Sequence, residues 1–202
     1  MSDQPKVPVP ARPAASLVVL RQTDGPAVLM GVRGAKHRFM PNRLVYPGGA
    51  VDEADHTAPH ATPLRPDVLR RLEKSASPSL ARAFGIAAAR ELHEETGLSL
   101  GSPPALDGLD YLCRAVTPPA SPVRFDAHFL VVDAERVSGE LAGSGELEDL
   151  RWFPLTEALA LDLALPTRGV LERLQLWMKM SEAERRAQTV VYGLYNRLWV
   201  EE

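Results

Sequence analysis

Apolar positions fall into short runs in the first third of the chain and alternate between helical spacing and further short runs afterwards. Ala14 to Leu20 (AASLVVL) is a continuous apolar, β-branched run and predicts a buried strand. Thr23-Asp24-Gly25-Pro26 is a turn, and Ala27 to Val32 predicts the second strand of a hairpin. A basic, irregular stretch from Arg33 to Arg43 leads to a short strand, Leu44 to Tyr46, ended by Pro47-Gly48-Gly49. An acidic loop, Val51 to Asp55, follows. His56 to Ser79 carries Pro59, Pro63, Pro66 and Pro78 around one amphipathic stretch, Asp67 to Lys74, and predicts a short helix inside a long insertion. Leu80 to Thr96 is the clearest helix, with Ser79 as cap and Gly97 just past its end. Leu109–Thr117, Arg124–Val132 and Leu150–Phe153 predict strands, the last one stopped by Pro154. Thr156 to Leu163 begins a helix, and two C-terminal helices are expected at Pro166–Met180 and Ser181–Trp199. Strands on both sides of one central helix predict an α/β/α sandwich with a mixed sheet.

Composition narrows the function classes. The 202 residues suit one domain, here residues 14–165, preceded by a Pro-rich tail (1–13) and followed by the helices of 166–202, which pack on the domain or form a homodimer interface. Trp177, Tyr192, Tyr195 and Trp199 supply the large apolar surface for either arrangement. A net charge of −3 offers no electrostatic case for duplex nucleic acid. No run approaches the roughly 18 apolar residues of a membrane span, and no signal-type segment opens the chain, so a cytoplasmic location is expected. The single cysteine, Cys113, rules out an internal disulfide and a multi-cysteine zinc site and reads as a core residue.

The chemistry concentrates in the central helix. Glu91, Glu94 and Glu95 stand at i, i+3 and i+4, so three carboxylates share one face. Their mutual repulsion is relieved either by solvent or by a divalent cation, and magnesium favours hard oxygen donors of this kind. Arg90 stands beside them and can orient a carboxylate by a two-pronged contact. His93 points elsewhere, and Gly97 stands where a zinc-protease helix needs its second histidine.

The string Arg90-Glu91-Leu92-His93-Glu94-Glu95-Thr96-Gly97-Leu98 resembles the core of the Nudix box, with every specified position filled. Upstream, Gly49 and Asp55 resemble the box's opening glycine and acidic residue. The chain departs there twice: the family has Glu where this chain has Asp55, and the gap to Arg90 is far longer than usual. Glu146 to Trp152 resembles the acidic loop and strand that follow the box in many members. The resemblance implies a Mg²⁺- or Mn²⁺-dependent hydrolase of a small-molecule diphosphate. Its metal ligands would be Glu91, Glu94, Glu95 and the Gly49 carbonyl, its catalytic residues those glutamates with Arg90 and Glu146. Glu91 and Glu146 are both open as the general base, a role worth about 10²–10⁴-fold.

Substrate choice is less legible. Residues 29–52 partly resemble the segment that precedes the box in coenzyme A diphosphatases, with Gly34, His37 and Met40 unmatched. That implies coenzyme A or an acyl derivative, with Arg33, Arg38, Tyr46 and Gly48 in contact with substrate and Lys36 and Arg43 as further cations. ADP-ribose, NADH or another dinucleotide is the alternative substrate, and a non-catalytic nucleotide-binding module is the alternative function. The insertion between Asp55 and Arg90 is expected to decide substrate choice.

Overall fold

The computed structural model describes residues 9–35, 39–143 and 145–202. Nine strands among these residues form one mixed sheet. They are β1 (Arg12–Arg21), β2 (Ala27–Arg33), β3 (Leu44–Val45), β4 (Gly48–Ala50), β5 (Asp110–Val116), β6 (Phe125–Asp133), β7 (Leu147–Pro154), β8 (Tyr192–Tyr195) and β9 (Leu198–Glu201). The order is β3-β2-β1-β6-β5-β8-β9, with β4 paired to β1 and β7 to β2. β1 and β2 pair only at Leu20↔Val28 and Arg21↔Ala27. They then splay, and β4 takes the vacated edge of β1, with Ala15 opposite Gly49 and Ser16 opposite Gly48.

Alternation along β1 makes the two cores. Ala15, Leu17 and Val19 face helix α2 (Pro78–Thr96), while Val18 and Leu20 face helix α4 (Leu165–Met178). Ala81, Ala87 and Ala88 of α2 are fully buried, so small side chains let this helix lie close to the sheet. Gly97 closes α2 at φ 74, the left-handed cap that a glycine adopts without strain.

Several expectations are corrected. The cap of α2 is Ser77, which accepts from the Leu80 N–H; Ser79 instead bonds His56 Nδ1. The strand expected at 150–153 starts at Leu147 and runs through Pro154, whose missing N–H costs nothing at a strand end. The helix expected at 181–199 is only α5 (Glu182–Ala187). After it the chain forms the β8–β9 hairpin, which adds to the sheet beside β5. Asn196 and Arg197 form its two-residue turn with φ of 46° and 73°, the primed turn that fits strand twist. Trp177 is buried in the α4-side core, whereas Trp199 is exposed on β9.

The insertion is docked on the fold. Its helix α1 (Pro66–Leu72) sends Val68 and Leu72, together with Leu64, into the α2-side core. Arg71 is buried and donates to the Asp67 carboxylate at 2.8 Å and to the Tyr111 carbonyl at 3.2 Å. Arg65 ties the same segment to Asp110 and to the Asp107 carbonyl.

His128 stands beneath this segment, its ring 4.1 Å from that of Phe84 and within reach of the Tyr111 hydroxyl. Burial pushes its pKa down to about 4. A base depressed in the folded state contributes stability that is complete above pH 6.5 and is lost as pH falls from about 6.5 towards 4. His128→Gln is therefore expected to flatten the acid side of the stability profile, by up to about 3 kcal/mol. Urea melts at pH 7 and pH 4.5 read this; an equal loss in both proteins would refute it.

Candidate active site

The site is assembled where α2 meets the turn between β3 and β4. Arg90 is its organiser. Its Nε and Nη2 donate to the two oxygens of Asp55, each at 3.0 Å. Nη2 also donates to the Ala50 carbonyl at 3.0 Å, and Nη1 reaches Glu91 at 2.8 Å and Glu94 at 3.0 Å. Asp55 is only 2% exposed and also accepts from the Asp52 N–H, so it cannot find water if Arg90 leaves. Asp55 thus meets Arg90 across the whole insertion, and one guanidinium joins the acidic loop, β4 and the glutamate face of α2. Arg90 is raised further above its ordinary range, first by the Asp55 contact.

The glycine turn faces the carboxylates directly. The Gly48 N–H donates to Glu95 at 2.8 Å, and the Gly48 carbonyl accepts from Arg33 at 3.3 Å. A Cβ on Gly49 would stand 2.5 Å from Glu91 Cδ, so only glycine lets the two approach. Gly49→Ala is expected to push the Glu91 carboxylate aside while the fold persists. Divalent-ion affinity by calorimetry should fall at least about tenfold, and unchanged affinity would show that Glu91 is not an ion ligand.

The site strains its own acids. Burial pushes the Glu95 carboxyl up to about 7, against the pull of the Gly48 N–H and Arg33 and with the push of Glu91 and Glu146. Glu91 is raised as well, by burial first, despite Arg90. Glu94 is 55% exposed, and Glu146 lies on an exposed loop within electrostatic range of both Glu91 and Glu95. Among the described residues, no three His, Cys, Asp or Glu side chains converge as they do around an ion, since Arg90 and the Gly48 N–H hold the carboxylates. The donor chemistry nonetheless suits a hard cation: all are carboxylates, two are raised, and a positive ion would relieve both.

A cavity of about 360 Å³ opens from Arg33, Gly48 and Gly49. Tyr46 forms part of its wall, but it is 3% exposed, stacks edge-on against Phe129 and gives its hydroxyl to the Thr167 carbonyl. Phe39 also lines the cavity, packed edge-on to Phe125. Arg43 stands apart, paired to Asp162, and Arg38 and Lys36 lie outside the described residues. No residue of the insertion lines this cavity. Leu165, Thr167, Leu194 and Arg197 do line it, and sequence reasoning missed them. A two-residue turn without glycine left only the aromatic and β-branched run around 191–200 as a signal.

Residues 83–174 match the family model described as NUDIX domain. The chain is 37% identical over 87 residues to the putative nudix hydrolase 7 of Caenorhabditis elegans, a match covering 43% of this chain and 22% of that protein. A NUDIX hydrolase from Alicyclobacillus acidocaldarius superposes with a TM-score of 0.63 at 25% identity, covering 81% of this chain and 90% of the other. Residues 83–174 carry a Nudix domain. A MutT NUDIX hydrolase from Burkholderia pseudomallei shares the fold at a TM-score of 0.55 and 24% identity, over 82% and 99% of the two chains. This chain spans about a fifth of the length of the curated relative it matches. The Nudix match begins within α2 and ends within α4, so the insertion and the β8–β9 hairpin both lie outside it.

Proposed function

We propose that the chain hydrolyses a diphosphate linkage in a nucleoside diphosphate derivative, with Mg²⁺ or Mn²⁺ as cofactor. One observation carries the reading. Arg90 clamps Asp55 and β4 onto α2, which sets the buried Glu95 and the half-buried Glu91, both raised, against a glycine turn that lines a cavity. Glu91, Glu94 and Glu95, with the Gly49 carbonyl, would hold the ion. A bound ion screens the substrate's negative charge and lowers the pKa of a coordinated water. Arg33, fixed by the Gly48 carbonyl beside Glu95, supplies a cation for a phosphate oxygen. Arg90 does not need to touch substrate; it fixes where Glu91 stands. Glu91 and Glu146 are the two carboxylates offered for the water's proton. The Gln variant of Glu146 separates them: turnover lost with ion binding intact makes Glu146 the base, and turnover retained leaves the role to Glu91.

Coenzyme A or an acyl derivative is the substrate favoured by the segment around Arg33 and the Pro47-Gly48-Gly49 turn; ADP-ribose and dinucleotides are the alternatives. The retained glutamates favour catalysis over mere binding. The test is turnover of coenzyme A, ADP-ribose and dinucleotides with Mg²⁺ or Mn²⁺, products being identified by mass. Cleavage of the coenzyme A diphosphate is expected. Preference for ADP-ribose would replace the substrate assignment, and tight binding with no cleavage of any compound would establish the binding-module reading instead.

A further inference from the structure

The cavity that opens at Gly48 and Gly49 continues across the sheet. Ser16 lies opposite Gly48 on β4 and Phe129 on β6; Ala14 lies opposite Ala127, Ala127 opposite Ala115, and Ala115 opposite Leu194 on β8. All of these line one cavity. From β4 to β8 there are four strand steps of about 4.8 Å, so the floor is about 19 Å long. Its side chains are small at Ala14, Ser16, Ala115 and Ala127, while Phe39, Phe125 and Leu165 contribute larger apolar lining. About 360 Å³ drawn over that length makes a narrow trough. A single flat ring would leave most of it empty.

The far end is the β8–β9 turn, where Asn196 and Arg197 line the cavity and are exposed. Arg197 has φ 73°, at a turn position that favours glycine and strains any other residue. An arginine at that position puts a basic residue at the end of an apolar trough at the expense of the turn itself.

The geometry points to a selecting role for this turn. It admits diphosphates whose second substituent is a long, slender, mainly apolar chain that ends in an oxygen acceptor. The chain lies on the Ala and Ser floor, and its end meets Arg197 and Asn196. This rests on the hydrolase reading only for the position of the diphosphate, at the glycine turn beside Arg33.

Calorimetry of the full chain in EDTA, with the ethyl, dodecyl and ω-carboxydodecyl esters of ADP, tests it without turnover. The dodecyl ester is expected to bind at least about tenfold more tightly than the ethyl ester. The ω-carboxylate should add about fivefold. Arg197→Gly should erase the carboxylate preference with no loss of thermal stability, since glycine suits the turn. Leu194→Trp, which fills the trough, should bring the dodecyl-to-ethyl ratio towards one. Equal binding of ethyl and dodecyl esters overturns the trough, and a carboxylate preference that survives in Arg197→Gly overturns the role of the turn. Hydrolysis of the same esters with Mg²⁺ is read separately. Absence of turnover would sink the hydrolase reading while leaving the binding result to decide this one.

Discussion

Glu95→Gln is expected to make the metal-free protein more stable at pH 8 while lowering the proposed diphosphate hydrolysis at least about 10²-fold. The two effects have one cause. Glu95 is 3% exposed, and burial raises its carboxyl to about 7. A carboxyl raised in the folded state binds its proton more tightly there than in the unfolded chain. Stability therefore falls as pH rises through the interval from about 4.5 to 7, and the full penalty remains above it. Gln keeps an oxygen to accept from the Gly48 N–H but carries no charge to bury. The gain at pH 8 is about 2–3 kcal/mol, or about 4–12 °C in Tm for a chain of this size. It shrinks at pH 5, where Glu95 is already largely protonated. Thermal melts in EDTA at the two pH values, beside a hydrolysis assay with Mg²⁺, measure both. An unchanged Tm at pH 8 would mean that the carboxylate is not held at a cost. Such an opposition is expected where a site keeps charges that only a bound ion relieves.

Arg90→Met has the opposite sign on stability and the larger effect on the fold. It leaves Asp55 buried with only the Asp52 N–H for company and frees the link from α2 to the Ala50 carbonyl. Stranding one partner of a buried pair costs about 3–5 kcal/mol. The expected loss of Tm at pH 7 is about 6–20 °C. Adding Asp55→Asn should recover part of it, because the double variant strands no charge. Arg90→Lys should not restore the wild type, since a point charge cannot grip both Asp55 oxygens and reach β4 as well. Equal melting of Arg90→Met and the double variant would show that Asp55 and Arg90 are energetically independent.

The insertion is part of the fold's own packing. Leu64, Val68 and Leu72 turn into the α2-side core, and Arg65 and Arg71 are held by Asp67, Asp110 and backbone carbonyls. It works as a brace under α2 and β5. Leu165, Thr167 and the β8–β9 turn, which carry no motif, line the cavity instead.

Local chemistry was legible without coordinates because it depends on spacing along one element. The i, i+3, i+4 glutamates, the capping glycine at position 97 and the β-branched run of β1 each follow from helical or strand periodicity. Asp55 was legible as an acid at a set distance from Gly49, though not its burial or its grip on Arg90. Tertiary structure decided everything that joins distant segments. It brought Asp55 to Arg90 over 35 positions, pressed Gly49 against Glu91, raised Glu95 by surrounding it, and placed β8 parallel to β5 so that Arg197 closes the trough. Periodicity reports which face of an element is apolar, but not which element covers that face; strand order and burial are set by the packing of the whole chain.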